Sequence, residues 1–144
     1  MARSKVANRS VEALRSVPLF SNLSDRQLRA IAGQAKEVYF QSGDHICREG
    51  ESGVGMHVVL EGDTKVQING RTRRRMGPGA FFGEIALLDG GPRSATVIAE
   101  TDVHTISLPF WNFKKLLKEQ PPLALKMLEE VCGRLRDEGP PLEG

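Results

Sequence analysis

The residues of this chain best suited to bind a small anion are a glycine-glutamate pair and an arginine that follows it. They lie in the segment Phe82-Gly83-Glu84-Ile85-Ala86-Leu87-Leu88-Asp89-Gly90-Gly91-Pro92-Arg93-Ser94-Ala95-Thr96-Val97. The apolar residues after Gly83 predict a short helix over 84–88, and a helix N-terminus offers free N–H groups to an anion. Arg93 adds a planar, permanently charged donor, and the Glu84 carboxylate can accept from a sugar hydroxyl. A phosphate beside a ribose hydroxyl indicates a nucleotide.

This segment resembles the phosphate-binding cassette of the cyclic nucleotide-binding domain family, which includes bacterial catabolite activators, kinase regulatory subunits and cyclic-nucleotide-gated channels. The family pattern is Phe-Gly-Glu, two small or apolar residues, a short loop, then Pro-Arg, a small residue, Ala, and Thr or Ser. This sequence fills every position. The resemblance implies that Arg93 binds the phosphate and that Glu84 accepts from the ribose 2′-hydroxyl. The other cassette residues expected at the nucleotide are Phe82, Gly83, Ile85, Ala86 and Ala95.

The resemblance also implies a purine site. Val66 matches a family position that touches the ring. Arg74 lies on the strand that flanks the purine, where smaller residues are expected, and it either stacks on the base or points away. Leu135 or Arg134 in the last helix is the candidate lid, although Leu135 is equally well explained as a core residue. Ser94 takes a position where, in the family, threonine goes with cGMP and alanine with cAMP. Serine is intermediate, and bacterial cAMP binders of the family carry it, so it favours cAMP and leaves cGMP possible.

Length and composition predict one soluble domain. The chain has 144 residues, of which 40% are hydrophobic and 26% charged, with a net charge of +2. That charge gives no argument for nucleic acid or membrane binding. No apolar run approaches the ~18 residues of a membrane span, and the N-terminus lacks a secretory signal, so we expect a cytoplasmic protein. Cys47 and Cys132 lie far apart and are expected to be free, buried thiols.

Short alternating segments separated by glycine turns predict an antiparallel roll. The Asn69-Gly70 pair is a hairpin signal. The segments that read as strands are residues 38–40, 45–49, 56–60, 64–68, 71–76, 94–100 and 103–108. The resulting fold class is mainly β with flanking α: an eight-stranded antiparallel β-roll, or jelly roll, with N-terminal helices, the short phosphate-binding helix and two C-terminal helices.

Helical signals flank the roll on both sides. Ser24 and Gln27 form a capping-box pattern that predicts a helix over 25–34. A helix over 110–118 is followed by a second that begins after Pro121-Pro122 and runs to about residue 136. Its apolar residues at helical spacing are Leu128, Val131, Cys132 and Leu135. We therefore predict a flexible basic N-terminus over 1–9, the domain over 10–137 and a flexible tail over 138–144.

Several kinds of chemistry find no support in the sequence. His45, His57 and His104 are scattered without a ligand-like pair, so no metal is expected, and a metal-dependent roll-fold enzyme is disfavoured. Nucleophile-base pairs and acid-base dyads are also missing. The arginines at 71, 73, 74 and 75 are explained by a solvated edge strand. They would also suit nucleic acid, but no aromatic residues are interleaved with them.

We therefore predict a non-catalytic sensor of a cyclic nucleotide, cAMP in the first place. The resemblance implies that ligand binding rearranges the C-terminal helices and that no further cofactor is needed. The alternative is a roll-fold protein-interaction module that no longer binds nucleotide. The sequence shows no DNA-binding motif after residue 137 and no membrane segment. We accordingly expect an unidentified effector protein, acting in trans or within a larger assembly.

Overall fold

The computed structural model of the chain describes residues 11–17, 20–21, 23–52, 55–83 and 92–138. Helix α1 covers residues 11–16, and helix α2 covers Asp25–Gln34. The strands in this part of the chain are β1 Lys36–Phe40, β2 His45–Cys47, β3 Gly55–Glu61, β4 Thr64–Ile68, β5 Arg71–Met76, β6 Phe81–Phe82, β7 Thr96–Ala99 and β8 Val103–Pro109. Two helices follow, α3 Phe110–Glu119 and α4 Pro121–Glu138.

The strands form two antiparallel four-stranded sheets, with the orders β1-β8-β3-β6 and β2-β7-β4-β5. The predicted β-roll is therefore confirmed. Strands β4 and β5 are joined by the predicted hairpin, in which Asn69 has a φ of 54° and Gly70 a φ of 78°. Two positive φ values in succession are typical of a type I′ turn, whose twist matches that of the flanking strands.

Two apolar cores hold this arrangement together. The first lies between the helices and the sheet that contains β3, and its most buried members include Leu14, Phe20, Leu28, Met56 and Ile106. The second fills the roll between the sheets and contains Val59, Val66, Met76, Phe82, Val97, Ala99 and Val103. Strand β3 contributes to both cores because successive side chains of a strand point to opposite faces. This strand is therefore buried on both sides.

Helix α2 begins with the capping box that the sequence predicts. The Ser24 hydroxyl accepts from the Gln27 backbone N–H at 3.2 Å, and the Gln27 side chain accepts from the Ser24 N–H at 2.8 Å. These two bonds satisfy N–H groups that a helix start leaves without intrahelical partners. Leu28 and Ile31 then turn their side chains into the first core.

Two strand predictions need correction, and one short strand was not indicated by the sequence. Strand β2 ends at Cys47 and β7 begins only at Thr96. The strands stop there because other bonds hold the flanking residues: Thr96 accepts through Oγ1 from the Glu49 N–H at 2.9 Å, outside the ladder. Strand β6 spans only Phe81–Phe82, and a strand so short shows no alternation in the sequence.

Helix α4 also differs from the prediction. It begins at Pro121 rather than after the two prolines, because the first turn of a helix needs no N–H donors. Its packed residues are Leu123 and Met127, which are 3% and 1% exposed. The predicted stripe faces outward instead, since Leu128 and Leu135 are 56% and 45% exposed. Helical spacing identifies an apolar stripe, but tertiary contacts decide which stripe is covered.

The cysteines are free, as predicted, but only Cys47 is partly buried and Cys132 is exposed. Other predictions lie outside the described residues: the flexible segment 1–9, the short helix over 84–88 with Glu84, Ile85 and Ala86, and the tail over 139–144. Glu138, assigned to the tail by the sequence, is still helical. Within the described chain, no helix combines the length and the apolar character needed to cross a membrane.

Candidate functional site

Gly83 forms a left-handed turn directly after β6. Its φ is +89°, a conformation that L side chains rarely adopt. A Cβ at this position would collide with Nη1 of Arg93, and it would lie 3.2 Å from the Gly55 carbonyl oxygen and 3.3 Å from the Met56 Cα. The missing side chain is therefore required for two reasons, because it permits the turn and because it leaves room for the guanidinium.

The Arg93 side chain is buried, with 8% of the residue exposed. Its Nη2 donates to the Gly55 carbonyl at 2.7 Å, and its Nη1 donates a longer bond to the Gly83 carbonyl at 3.5 Å. Both acceptors are uncharged, so these two bonds orient the guanidinium without neutralising it. The carbonyl of Gly55 at the start of β3 and that of Gly83 after β6 thus hold a positive charge at the edge of the roll.

The backbone of Arg93 is fixed by a second pair of contacts. Its N–H donates to the Glu51 carbonyl at 2.9 Å, and its own carbonyl accepts from the Gly50 N–H at 2.9 Å. These bonds attach residues 92–95 to the turn that follows β2. The position of Arg93 therefore depends on chain segments that are distant in sequence.

Val66, Phe82 and Ala95 lie together at the interior of the roll. Val66 and Phe82 are each 3% exposed, and Ala95 packs against the same cluster. Arg74 is opposite Val66 in the β4-β5 register, and directly opposed residues share one face of a sheet. Arg74 is accordingly on the inner face and partly buried. The roll thus brings the two purine-site candidates, Val66 and Arg74, to the same interior side as the cassette residues Phe82 and Ala95.

The neighbouring arginines behave differently from Arg74. Arg71, Arg73 and Arg75 are exposed on β5, an edge strand of its sheet. Nε of Arg75 donates to Oε1 of Glu100 at 2.9 Å. This alternation is that of a solvated edge strand on which Arg74 is the one inward-facing arginine.

Two further predicted residues stand apart from the interior cluster. Ser94 is exposed beside Arg93, which agrees with a hydroxyl available to a ligand. Leu135 is on the exposed side of α4 and belongs to neither apolar cluster among the described residues. Glu84, Ile85 and Ala86 lie outside the described residues. The binding roles assigned to all of these residues stay predictions.

His57 is a member of this environment that the sequence did not single out. Its Nδ1 lies 3.0 Å from the Thr105 hydroxyl. Its ring stacks on Phe82, with centroids 5.2 Å apart and planes at 17°, and meets Phe40 edge-on at 6.1 Å. Burial, and secondly the charge of Arg93, lower the pKa of His57 to about 4. The only sequence signal for this position was strand alternation. It puts His57 on the same face of β3 as Val59, and Met56 and Val58 on the other face.

Metal chemistry finds no site in the part of the chain that the structure describes. Among those residues, no group of three or more His, Cys, Asp and Glu is placed to hold a metal ion. A cleft of about 860 Å³ lies between α1, β1 and β3, and a smaller cavity of about 210 Å³ lies between α2 and α3. Neither is lined by Gly83 or Arg93, so both are separate from the candidate site.

Comparison with known proteins decides the family. A family model described as the cyclic nucleotide-binding domain matches residues 37–120, which include Gly83 and Arg93. The chain belongs to the cyclic nucleotide-binding domain family. A cyclic nucleotide-gated potassium channel of Mesorhizobium japonicum is 40% identical over 116 residues, covering 81% of this chain and 32% of the channel. The mouse potassium/sodium hyperpolarization-activated cyclic nucleotide-gated channel 2 is 38% identical over 106 residues, covering 74% of this chain and 12% of the channel.

Solved structures share the fold of this domain. Cyclic AMP-bound PfPKA-R superposes with a TM-score of 0.84 at 23% identity, over 98% of this chain and 50% of that chain. The regulatory domain of Toxoplasma gondii PKA with cAMP gives a TM-score of 0.79 at 27% identity, over 90% of this chain and 52% of that chain. The domain spans about a third or less of the channels it matches.

Proposed function

We propose that this domain is a non-catalytic regulatory module that binds cAMP, with the phosphate at Arg93. The observation that carries the proposal is the buried guanidinium, held by the carbonyls of Gly55 and Gly83 at a turn that only glycine tolerates. A charged donor fixed in advance loses little conformational freedom when an anion binds. The family pattern places Glu84 next to this turn, where it accepts from the ribose 2′-hydroxyl.

The inner face of the second sheet supplies the purine site in this proposal. Val66 offers an apolar wall, and we propose that Arg74, which is opposite Val66 in the register, stacks on the base. The exposed Ser94 hydroxyl lies next to the phosphate-binding arginine, where alanine would go with cAMP and threonine with cGMP. We therefore propose cAMP as the preferred ligand and cGMP as a weaker one.

The response to the ligand is assigned to the C-terminal helices. Helix α4 has three exposed leucines, Leu125, Leu128 and Leu135, which are 58%, 56% and 45% exposed. Movement of α4 over the purine would bury apolar surface, which is favourable by roughly 25 cal/mol per Å². A ligand that binds the closed arrangement more tightly shifts the population towards it. Leu135 is our candidate for the lid contact.

The output is a partner rather than a reaction. We propose that an effector protein, in trans or in the same longer chain, reads the position of α4. The relatives include ion channels of which this domain matches only a part, so both arrangements are open to test. A cytoplasmic location and the domain limits 10–137 stay predictions.

Isothermal titration calorimetry with cAMP and cGMP tests the proposed function. Arg93→Ala is the test variant, and Arg73→Ala is the matched control because it removes the same charge from an exposed position on β5. Hydrogen bonds to charged groups contribute about 1.5–3 kcal/mol each. In the proposed complex the planar guanidinium donates two such bonds to the phosphate, and losing both should weaken cAMP binding about a hundredfold or more. Arg73→Ala should bind like the wild type, and cAMP recovered from the sample should be chemically unchanged.

The outcomes separate the proposal from its alternative. If Arg93→Ala lowers the cAMP affinity by less than about threefold, Arg93 does not bind the phosphate. If folded, nucleotide-free wild-type protein binds neither nucleotide, the roll serves as a protein-interaction module instead. Thermal unfolding of each variant establishes that it is folded. Arg93→Lys, which keeps the charge but not the planar fork, replaces Arg93→Ala if the alanine variant does not fold.

A further inference from the structure

His57 lies on β3, the strand whose Gly55 carbonyl accepts from Arg93 of the proposed phosphate site. Gly55, whose carbonyl accepts from Arg93, and His57 are two positions apart on β3 and so share one face of the strand. His57 is also opposite Phe82 in the β3-β6 register, and Phe82 immediately precedes Gly83. The same two strands that hold the guanidinium therefore also hold the imidazole.

The groups that face His57 are almost all uncharged. Phe82 packs on it from β6, Phe40 from β1 and the Thr105 hydroxyl from β8. Arg93 is the charged group among the described residues that acts on it, and the effect is repulsion of a second positive charge. Glu84, the other ionisable residue of the cassette, lies outside the described residues, and the experiment below controls for it.

We propose that proton binding and nucleotide binding are coupled at this site, with His57 taking up a proton when the phosphate binds to Arg93. The proposal rests on the proposed function. The phosphodiester brings one negative charge to the guanidinium, which offsets its repulsion of the imidazolium. Because the ring is already partly buried, the ligand adds little further desolvation.

The direction of the effect follows from linkage. In the free domain, burial and Arg93 hold the pKa of His57 near 4, so the ring is neutral around pH 7. A higher pKa in the complex means that the complex binds more protons than the free protein at mildly acidic pH. Lowering the pH therefore strengthens nucleotide binding. Because Arg93 is the smaller of the two causes, neutralising it can restore less than half of the lowering. If the pKa rises by about 1 unit in the complex, Kd at pH 5.0 should be about twofold lower than at pH 7.5.

Calorimetric titration of the full chain with cAMP at pH 7.5, 6.25 and 5.0 tests the coupling. The test variant is His57→Phe, which keeps an aromatic ring between Phe40 and Phe82. The matched control is His45→Gln, which removes an exposed histidine from β2. We expect about twofold tighter binding at the lowest pH in the wild type and in His45→Gln. In His57→Phe the affinity should be independent of pH.

Other results would overturn the proposal in distinguishable ways. An affinity that is independent of pH in the wild type, or a pH dependence retained in His57→Phe, contradicts the coupling while leaving cAMP binding intact. A pH dependence retained in His57→Phe would indicate that Glu84 is the group that titrates. No binding at pH 7.5 would refute the proposed function and this inference together.

A measurement without substitution guards against a variant that does not fold. The NMR titration of the His57 ring in the wild type, with and without saturating cAMP, gives its pKa in each state. The proposal requires a higher pKa in the complex, and an unchanged or lower value overturns it. His57→Gln, which keeps a hydrogen-bonding side chain for Thr105, is the second variant for calorimetry.

Discussion

Replacing Gly83 by alanine tests whether the turn and the arginine act as one unit. The added Cβ would collide with Nη1 of Arg93, and the Gly55 carbonyl oxygen, 3.2 Å away, and the Met56 Cα, 3.3 Å away, leave it little room to shift. Backbone atoms of a paired strand move less readily than the end of an arginine side chain. We therefore expect Gly83→Ala to displace the guanidinium without any substitution at Arg93.

Two separate costs follow from this geometry. The φ of +89° is unfavourable for alanine by about 1–2 kcal/mol, and this cost reduces the free energy of unfolding. Displacement of the guanidinium removes at least one hydrogen bond to the charged ligand, a loss of about 1.5–3 kcal/mol in binding. The expected fall in cAMP affinity is therefore about 10- to 100-fold, even though no charged residue has been changed.

Gly43→Ala is the matched control for this experiment. Its φ is +94° and nothing lies within 4 Å of a Cβ built there, so it carries the conformational cost without the collision. Urea unfolding should show the conformational cost in both variants and a larger loss of stability in Gly83→Ala, which also disturbs the Arg93 bonds to the Gly55 and Gly83 carbonyls. Calorimetry with cAMP should show weak binding for Gly83→Ala alone. If the two variants bind cAMP equally well, Gly83 does not position Arg93, and the reasoning fails.

Two further predictions concern stability. The unfolded chain has a His57 pKa of 6.5 and the folded protein one of about 4, so between these values the unfolded state binds more protons and stability falls as the pH falls. The loss of unfolding free energy reaches about 2 kcal/mol at pH 5. Urea unfolding at pH 7.5 and 5.0 should show a smaller loss on acidification in His57→Phe than in the wild type. An equal loss in both proteins would assign it to other groups. Thr64 is fully buried, and its hydroxyl donates to the Met76 carbonyl at 3.1 Å. Thr64→Val should therefore cost about 1 kcal/mol of unfolding free energy, whereas exposed Thr72→Val should change little, and equal effects would contradict this.

Features determined by local chemistry were predictable from the sequence. The capping box at Ser24 and the hairpin at Asn69-Gly70 each depend on a few adjacent residues whose side chains or φ preferences decide the structure. The face of α4 was not predictable in this way. Leu123 and Met127 form one apolar stripe and Leu128 and Leu135 another, and only packing against the rest of the domain selects the first.

The same distinction applies to the candidate site. The cassette motif relates Gly83 to Arg93 because both belong to one continuous segment. The acceptor of the shortest described Arg93 bond, the Gly55 carbonyl, lies 38 positions away, and His57 is brought alongside by the pairing of β3 with β6. No spacing in the sequence encodes these contacts. They follow from strand register, which is fixed only once the sheet forms.

The register therefore has a functional consequence that the motif alone does not carry. A buried guanidinium raises the electrostatic potential around it, and low-dielectric surroundings extend that effect to neighbouring groups. In the proposed site, the Arg93 charge that would attract the phosphate also adds to the effect of burial in disfavouring a proton on His57. Any change that neutralises Arg93, whether an anionic ligand or a substitution, must shift both equilibria. Burial sets most of the acid sensitivity at His57 and Arg93 adds to it, so displacing Arg93 should weaken ligand binding and also remove part of the acid sensitivity.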